Sequence, residues 1–299
     1  MSTITPGRMR TFLAVVEHGS IRAAAASLHV TEPAVSAGVS QLEKGLAAKL
    51  VERAGRGIRL TDAGRLYADY CRTILGLMTE AADAVQSSER GRLRLGAVAT
   101  ASECVLPRLL SSFRQQFAEV EVSLAVLPRD ALFESLAHHE VDAVFAGRPP
   151  RNAGLAGLTT RALRKNRLIA VGAPGREWQP LTATWLLRGP GSGTRDTALG
   201  LLAQLDATPS SLTLGTHGAV VAAAREGLGV TLVHADAVDD DLERGDLVQL
   251  PLAGTPLDRP WHIVTTDTPT PTTLLFIDHV TSSSAVGTAA FQLARRRSG

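Results

Sequence analysis

Apolar residues recur with a helical period over the first ninety positions and with a shorter, strand-like rhythm after them. Met9, Phe12, Leu13 and Val16 lie three or four apart and predict a first helix with one apolar face. Ser20 opens a second, Ala-rich helix running through Ala23–Ala26 to Leu28, because its hydroxyl can accept from a first-turn N–H that has no helical partner. Thr31 caps a third, in which Glu32 suits the helix dipole and Pro33 forfeits no hydrogen bond. Val35, Val39, Leu42 and Leu46 form the apolar stripe of that helix and turn Thr31, Glu32, Ala34, Ser36, Ala37 and Ser40 outward. Gly55-Arg56-Gly57, between Leu50 and Thr61, predicts the turn of a two-stranded hairpin.

Asp62 to Ser88 contains no proline, and Tyr67, Cys71, Ile74, Met78, Ala81 and Val85 follow one another in steps of 4, 3, 4, 3 and 4. That is the spacing of a coiled-coil seam, on a helix roughly 40 Å long. Such a helix either packs on its own domain or pairs with a second copy. After the polar stretch Ser87 to Gly91 the rhythm changes. Arg92–Val98 reads as a strand, Val105–Phe117 as a helix, Glu121–Val126 as a strand, Asp130–His138 as a helix and Val141–Ala146 as a buried strand. This βαβαβ order implies a parallel sheet with helices on both faces. A second α/β set follows: strands at Leu168–Val171, Thr184–Leu187, Leu212–Leu214 and Gly229–Val233, with helices after Gly193 and over Ala219–Arg225. Val248–Leu250 and His262–Thr265 read as returning strands, and Phe276–Ala294 as one or two closing helices before a basic tail, Arg295–Arg297.

A chain of 299 residues with 44% hydrophobic and 20% charged residues is long enough for two or three domains with true cores. No stretch approaches the roughly 18 apolar residues of a membrane span. The opening MSTITPGRMR lacks the apolar core of a signal peptide, and two cysteines, Cys71 and Cys104, fit a reducing compartment, so a cytoplasmic, nucleoid-associated protein is expected. The net charge of +2 is uneven: residues 1–61 hold eight Arg or Lys against four Glu, leaving the remainder slightly acidic. A basic head suits phosphate binding at one end of the molecule. A solvent-facing helix of small polar residues propped on an Ala-rich one fits a DNA major groove.

Gly19-Ser20, Ala24-Ala25, Leu28, Pro33-Ala34-Val35-Ser36, Leu42-Glu43, Leu50, Arg53, Arg59-Leu60-Thr61 and Ala63-Gly64 closely resemble the head of the LysR-type transcriptional regulators. The resemblance implies a multidomain α/β protein. It would have a winged helix-turn-helix (1–61), a dimerising linker helix (62–90) and a bilobal effector domain like the type II periplasmic binding proteins (91–299). Lobe I would take about 91–163 and 266–299, and lobe II about 164–265. Double-stranded operator DNA, a small-molecule effector, a second copy as homodimer or homotetramer and RNA polymerase are the implied partners, with no membrane and no cofactor. The DNA contacts expected are Ser20, Arg22, Thr31, Glu32, Pro33, Ala34, Ser36 and Ser40, with Arg53, Arg56 and Arg59 of the wing on the sugar-phosphate backbone. The dimer seam expected is the Tyr67–Val85 series above.

This chain departs from the family pattern where Glu32 replaces an amide, Ala37 and Ala23 replace basic residues, and Val51 replaces Phe. Less positive charge would face DNA, so weaker non-specific binding and an altered base preference are expected.

Ligands of open α/β sheets sit outside strand carboxyl ends, against helix N-termini. Thr100, Ala101 and Ser102 follow the first strand and are effector candidates, although Ser102 equally well only caps a helix. Gly191-Ser192-Gly193-Thr194-Arg195 forms a nest of N–H groups with Ser192 and Thr194 available to an anion; no lysine follows with the spacing of a nucleotide phosphate loop. The resemblance adds Thr216 and His217, the latter useful to an anion if protonated, and Arg148 lies within reach of a carboxylate. Hydroxyls, N–H groups and arginines together favour a small anionic effector. An enzyme or an exported solute-binding protein are the competing classes. Against the first, the chain shows no nucleophile elbow, metal spacing or dinucleotide fingerprint; against the second, the head and linker would have no purpose.

Overall fold

The computed structural model describes residues 4–54, 57–85, 88–149 and 157–294. It forms two compact units, residues 1–85 with 138–140, and residues 86–137 with 141–299.

In the first unit, α1 (Pro6–His18), α2 (Ile21–Ser27) and α3 (Glu32–Leu46) precede the hairpin β1 (Val51–Ala54) and β2 (Gly57–Leu60), and α4 (Asp62–Ala84) ends it. Four hydroxyls start the four helices: Thr5, Ser20, Thr31 and Thr61 accept from the N–H of Arg8, Ala23, Ala34 and Gly64. Ala24 and Ala25 are small enough for α2 to lie close against Ala14, Val15, Val35 and Val39. Phe12, Leu42, Leu50, Ala68 and Cys71 fill the adjoining core. Glu43 is buried beside them. Burial alone would raise its carboxyl, but hydrogen bonds from Lys49 Nζ (2.7 Å) and the N–H groups of Leu50 and Val51 together hold it below the usual value.

The second unit has two lobes. In the first, β3 (Arg92–Ala97), α5 (Ala99–Cys104), α6 (Leu106–Gln116), β4 (Glu121–Val126), α7 (Arg129–Ala137), β5 (Ala143–Ala146) and β6 (Leu158–Arg164) follow in order. The second holds β7 (Arg167–Gly172), β8 (Trp185–Arg188), α8 (Gly193–Gln204), β9 (Ser211–Gly215), α9 (His217–Arg225), β10 (Thr231–His234), α10 (Asp239–Arg244), β11 (Val248–Leu250) and β12 (Leu257–Asp258). The chain then returns through β13 (Trp261–Thr266), α11 (Pro271–Thr281), α12 (Ser283–Val286) and β14 (Gln292–Leu293). The first sheet has the order β14-β6-β13-β5-β3-β4, with β3 parallel to β4 and β5, and β13 antiparallel to β5 and β6. In the second lobe β7 pairs antiparallel with β10, β11 and β12, and β8 pairs parallel with β9.

Two expectations are corrected and one omission is filled. Trp261–Thr266 belongs to the sheet of the first lobe, so the crossing precedes it; its ladders to β5 and β6 satisfy backbone groups that burial would otherwise strand. The expected helix over 105–117 is α6, and the stretch before it, for which no element was expected, forms the short helix α5; the two part at Val105, just before Pro107, which suits a first helical turn and disfavours a helix interior. The closing helix starts at Pro271, capped by Thr270, rather than near Phe276. The basic tail Arg295–Arg297, Arg56 and the linker residue Ser87 lie outside the described residues.

A methyl group at Gly64 would lie 1.9 Å from the Leu50 carbonyl oxygen, backbone against backbone, whereas one at Gly7 in exposed α1 would meet nothing within 4 Å. Gly64→Ala should therefore lower the stability of the head by about 2–4 kcal/mol, and Gly7→Ala should leave it level or raise it by about 0.5–1 kcal/mol. Urea unfolding of both variants checks this; equal midpoints would contradict the packing of α4 on the strand entry.

Candidate nucleic-acid interface and ligand cleft

On α3, Val35, Val39 and Leu42 are buried while Glu32, Pro33, Ala34, Ser36, Ala37 and Ser40 are exposed. Thr31 is exposed as well but already accepts from the Ala34 N–H at 3.4 Å, and Ser20 accepts from the Ala23 N–H at 3.1 Å, so each presents a hydroxyl already engaged as a cap. A groove of about 670 Å³ runs between α3 and the hairpin, with Ser20, Arg22, Ser36, Ser40, Lys49 and Arg53 on its walls. Arg22 and Arg53 are exposed. Arg59 pairs with Glu52 at 2.7 Å across the hairpin, so a phosphate would have to compete for it. Arg56 falls outside the described residues. Lys49 is the groove cation that the sequence reading passed over; it follows α3 closely and pairs with Glu43.

The seam expected on α4 is only partly available. Cys71 is fully buried and Tyr67 packs with it against Phe12, because the first three turns of α4 complete the head's own core. Ile74, Met78, Ala81 and Val85 remain exposed, joined by Leu66, Tyr70 and Leu77. The open apolar face is thus rotated from the predicted one over the first half of the helix. The 4-3 spacing could not reveal this, since it marks a stripe without saying what covers it.

In the second unit a cleft of about 320 Å³ lies between the lobes, at the carboxyl ends of β3, β4, β5, β8, β9 and β10. Thr100, Ser192 and Thr194 line it, as expected. Arg188 also lines it, and its Nη1 donates to Thr100 Oγ1 at 2.6 Å, a bond that joins the two lobes. The Arg188 Nε is buried with no partner among the described residues. Burial pushes its guanidinium pKa down, while the nearby Glu103 carboxylate pushes it back up. Arg195, within the Gly-rich string, donates to the Arg188 carbonyl (2.9 Å) and to Thr213, so it braces the end of β8 rather than facing a ligand. Arg129, Arg259 and His234 also line it, and among the described residues no Asp or Glu does. His234 stacks on Trp261 with ring centres 4.3 Å apart and bonds Asn166.

The other expected residues lie elsewhere. Ala101 is in the core of the first lobe, Ser102 bonds the Ala99 carbonyl, and Thr216 caps α9. Arg148 is exposed beside the cleft, where its charge reaches Arg259 and His262. His217 is buried, and burial together with the Arg188 charge pushes it down to about 4, so near pH 7 it offers an anion no positive charge. Arg188 was legible as the residue directly after the apolar run Trp185–Leu187, at a strand's carboxyl end. Arg129, Arg259 and His234 carried no such signal, because long-range pairing brings them to the cleft.

A winged helix-turn-helix followed by a bilobal α/β unit with a cleft at its strand ends is the architecture of a ligand-responsive DNA-binding regulator. Residues 6–65 match the bacterial regulatory helix-turn-helix proteins of the lysR family, and residues 86–285 match the LysR substrate binding domain. The chain is 33% identical to the RuBisCO operon transcriptional regulator of Allochromatium vinosum, over 86% of this chain and 88% of that one. It is 31% identical to the HTH-type transcriptional regulator CfxR of Cupriavidus necator, over 88% of this chain and 86% of that one. Full-length CbnR, a solved structure in complex with its target DNA, shares the fold with a TM-score of 0.63 and 23% identity, over 93% of this chain and 99% of that one. The chain belongs to the LysR family: it is a transcriptional regulator with a helix-turn-helix DNA-binding domain and an effector-binding domain. Among the described residues no helix is long and apolar enough to cross a membrane.

Buried histidines in and near the cleft are expected to make this regulator sensitive to acid. Burial pushes His234 down to about 3 and His217 to about 4, and His262, buried in β13, to about 4. Between about pH 4 and 6.5 the unfolded chain therefore binds protons that the native one does not, and stability falls as pH falls through that window. The expected loss by pH 5 is about 1–2 kcal/mol for each such histidine, read as a lower urea midpoint at pH 5 than at pH 7. An unchanged midpoint would mean that these rings are charged or solvated in the folded protein.

Proposed function

We propose that this regulator senses a small anion held between its effector lobes and reads DNA with the exposed face of α3, as a homodimer joined through α4. The observation that carries the anion reading is the cleft lining: Arg129, Arg188 and Arg259 line it and, among the described residues, no carboxylate does. A volume of about 320 Å³ is at the small end of ligand pockets, which suits a metabolite rather than a nucleotide cofactor. Arg188 bonds Thr100 in the opposite lobe. An anion at Arg188 would replace that bond and favour one lobe arrangement by its differential affinity for it. Catalysis is not part of this reading, and the site of action is the cytosol.

For DNA, Arg22, Lys49 and Arg53 supply phosphate contacts while Ser36, Ser40 and Glu32 face base edges. Glu43 and Glu52, which line the groove, are each neutralised by a partner, Lys49 and Arg59. Glu32 has no ion-pair partner among the described residues. It repels phosphate and can only accept, so it favours the N4 amino group of cytosine. The face of α4 carrying Leu66, Tyr70 and Leu77 supports pairing with a second copy.

Three outcomes are expected. In a thermal-shift panel at fixed ionic strength, organic and inorganic anions raise the melting temperature; stabilisation only by cations or neutral hydrophobes would overturn the anion reading. In a gel shift with random-sequence DNA, Glu32→Gln binds more tightly than the parent at matched salt; unchanged or weaker binding would place Glu32 away from the duplex. Leu77→Asp dissociates the dimer in sedimentation while Cys71→Ser lowers stability without dissociating it, and the reverse pattern would restore the predicted seam.

A further inference from the structure

Two sets of guanidinium groups face the cleft, and they differ in position and surroundings. Arg188, at the end of β8, is half-buried, spans to Thr100 of the other lobe, and keeps a buried Nε without a partner among the described residues. The carboxylate whose field reaches it is Glu103, exposed on α5. Arg259, just before β13, belongs to the second set. A methyl group built on Gly193 at the start of α8 would lie 3.8 Å from its Nη2, so this guanidinium sits close to the first turn of α8. The charges of Arg129 and Arg148 crowd it and, after burial, oppose its own. Arg129 Nε donates to the Arg148 carbonyl at 3.1 Å, which ties these two chain segments together. The sole carboxylate paired with this group among the described residues is Asp130, 3.8 Å from Arg129 and 80% exposed. His234 feels both Arg188 and Arg259, which puts it between the two sets, and its depressed pKa leaves it neutral there.

Arg129 and Arg259 line the cleft with Arg148 beside it, their like charges oppose one another, and the one carboxylate paired with them among the described residues, Asp130, is exposed. Arg188 repeats the arrangement separately. A ligand with one anionic group could relieve only one of these centres. We infer that the effector of this cleft carries two anionic groups, one received by Arg188 with Thr100, the other by Arg259 with Arg129 and the N-terminal turn of α8. This rests on the anion-cleft reading above and narrows it. Because Thr100 and Arg129 belong to one lobe and Arg188 and α8 to the other, such a ligand would hold both lobes at two points, where a monoanion would hold them at one.

The test is calorimetric titration of the full-length protein at constant ionic strength with matched probes: butyrate against succinate, glutarate and adipate, and propyl phosphate against propane-1,3-bisphosphate. The expected result is that in the carboxylate or the phosphate series a two-anion probe binds at least about tenfold more tightly than its one-anion partner. Which series does so identifies the anion. Arg188→Met and Arg259→Met should each bring the two-anion probe down to the affinity of the one-anion probe. A gain of less than about threefold in both series, or equal loss of one- and two-anion probes in both variants, would overturn the two-group ligand while leaving an anion site intact. No binding by any probe, with the parent protein folded by circular dichroism, would overturn the anion site as well.

Discussion

A helix that reads DNA must keep its polar side in solvent, and what holds α3 in that attitude is the insertion of Val35, Val39 and Leu42 into the head. Each buried side chain of this kind contributes about 1.5–3 kcal/mol, enough to fix the rotation of a fifteen-residue helix about its own axis. The methyl side chains of Ala24 and Ala25 allow the close approach, and larger ones would push α2 and α3 apart. Glu43 completes the arrangement from the far end of α3 by binding the N–H groups of Leu50 and Val51, which joins the reading helix to the hairpin beside it. The groove between them, lined by Arg22, Lys49 and Arg53, follows from those contacts.

The effector unit obeys a different constraint. Strand ends leave backbone and side-chain groups pointing into the space between two lobes, and the fold fills that space with arginines rather than with a counter-charge. Arg188 is held by Thr100 across the cleft and by Arg195 from behind. Trp261, stacked on His234, donates its indole N–H to Asp236 at 3.1 Å, and Asp236 pairs with Arg164 at 3.0 Å. The cleft floor is therefore tied to β6 and β13, the strands by which the chain leaves and re-enters the first lobe. On the proposed reading, an anion held at Arg188 would act directly on groups that join the lobes.

The head was almost wholly legible in the sequence, because its signals are local. Caps at Ser20 and Thr31 and the stripe Val35-Val39-Leu42 each need only a few neighbouring residues to be recognised. The α4 seam was half legible: periodicity identified an apolar stripe, but only tertiary contacts could say that Phe12 and Leu42 cover its Tyr67–Cys71 half. In the effector unit β3, β4 and β11 fell where expected, while β6 was missed because its sequence, Leu158–Arg164, is only half-buried and lacks a clean alternation. The cleft residues divided in the same way. Thr100, Ser192 and Thr194 could be placed from strand-then-helix order, whereas Arg129 and Arg259, 130 positions apart, meet only through the sheet. The burial of His217, which pushes its pKa down, could not be seen from its neighbours in sequence.

The central claim is that the exposed face of α3 lies against base edges in the major groove. Dimethyl sulfate protection on DNA recovered by binding-site selection tests it directly, since guanine N7 opens to the major groove and adenine N3 to the minor. The account predicts guanine N7 protection in two clusters on one face of the duplex, one for each head of the dimer. Protection confined to adenine N3, or bound DNA with no protected guanine N7, would contradict it.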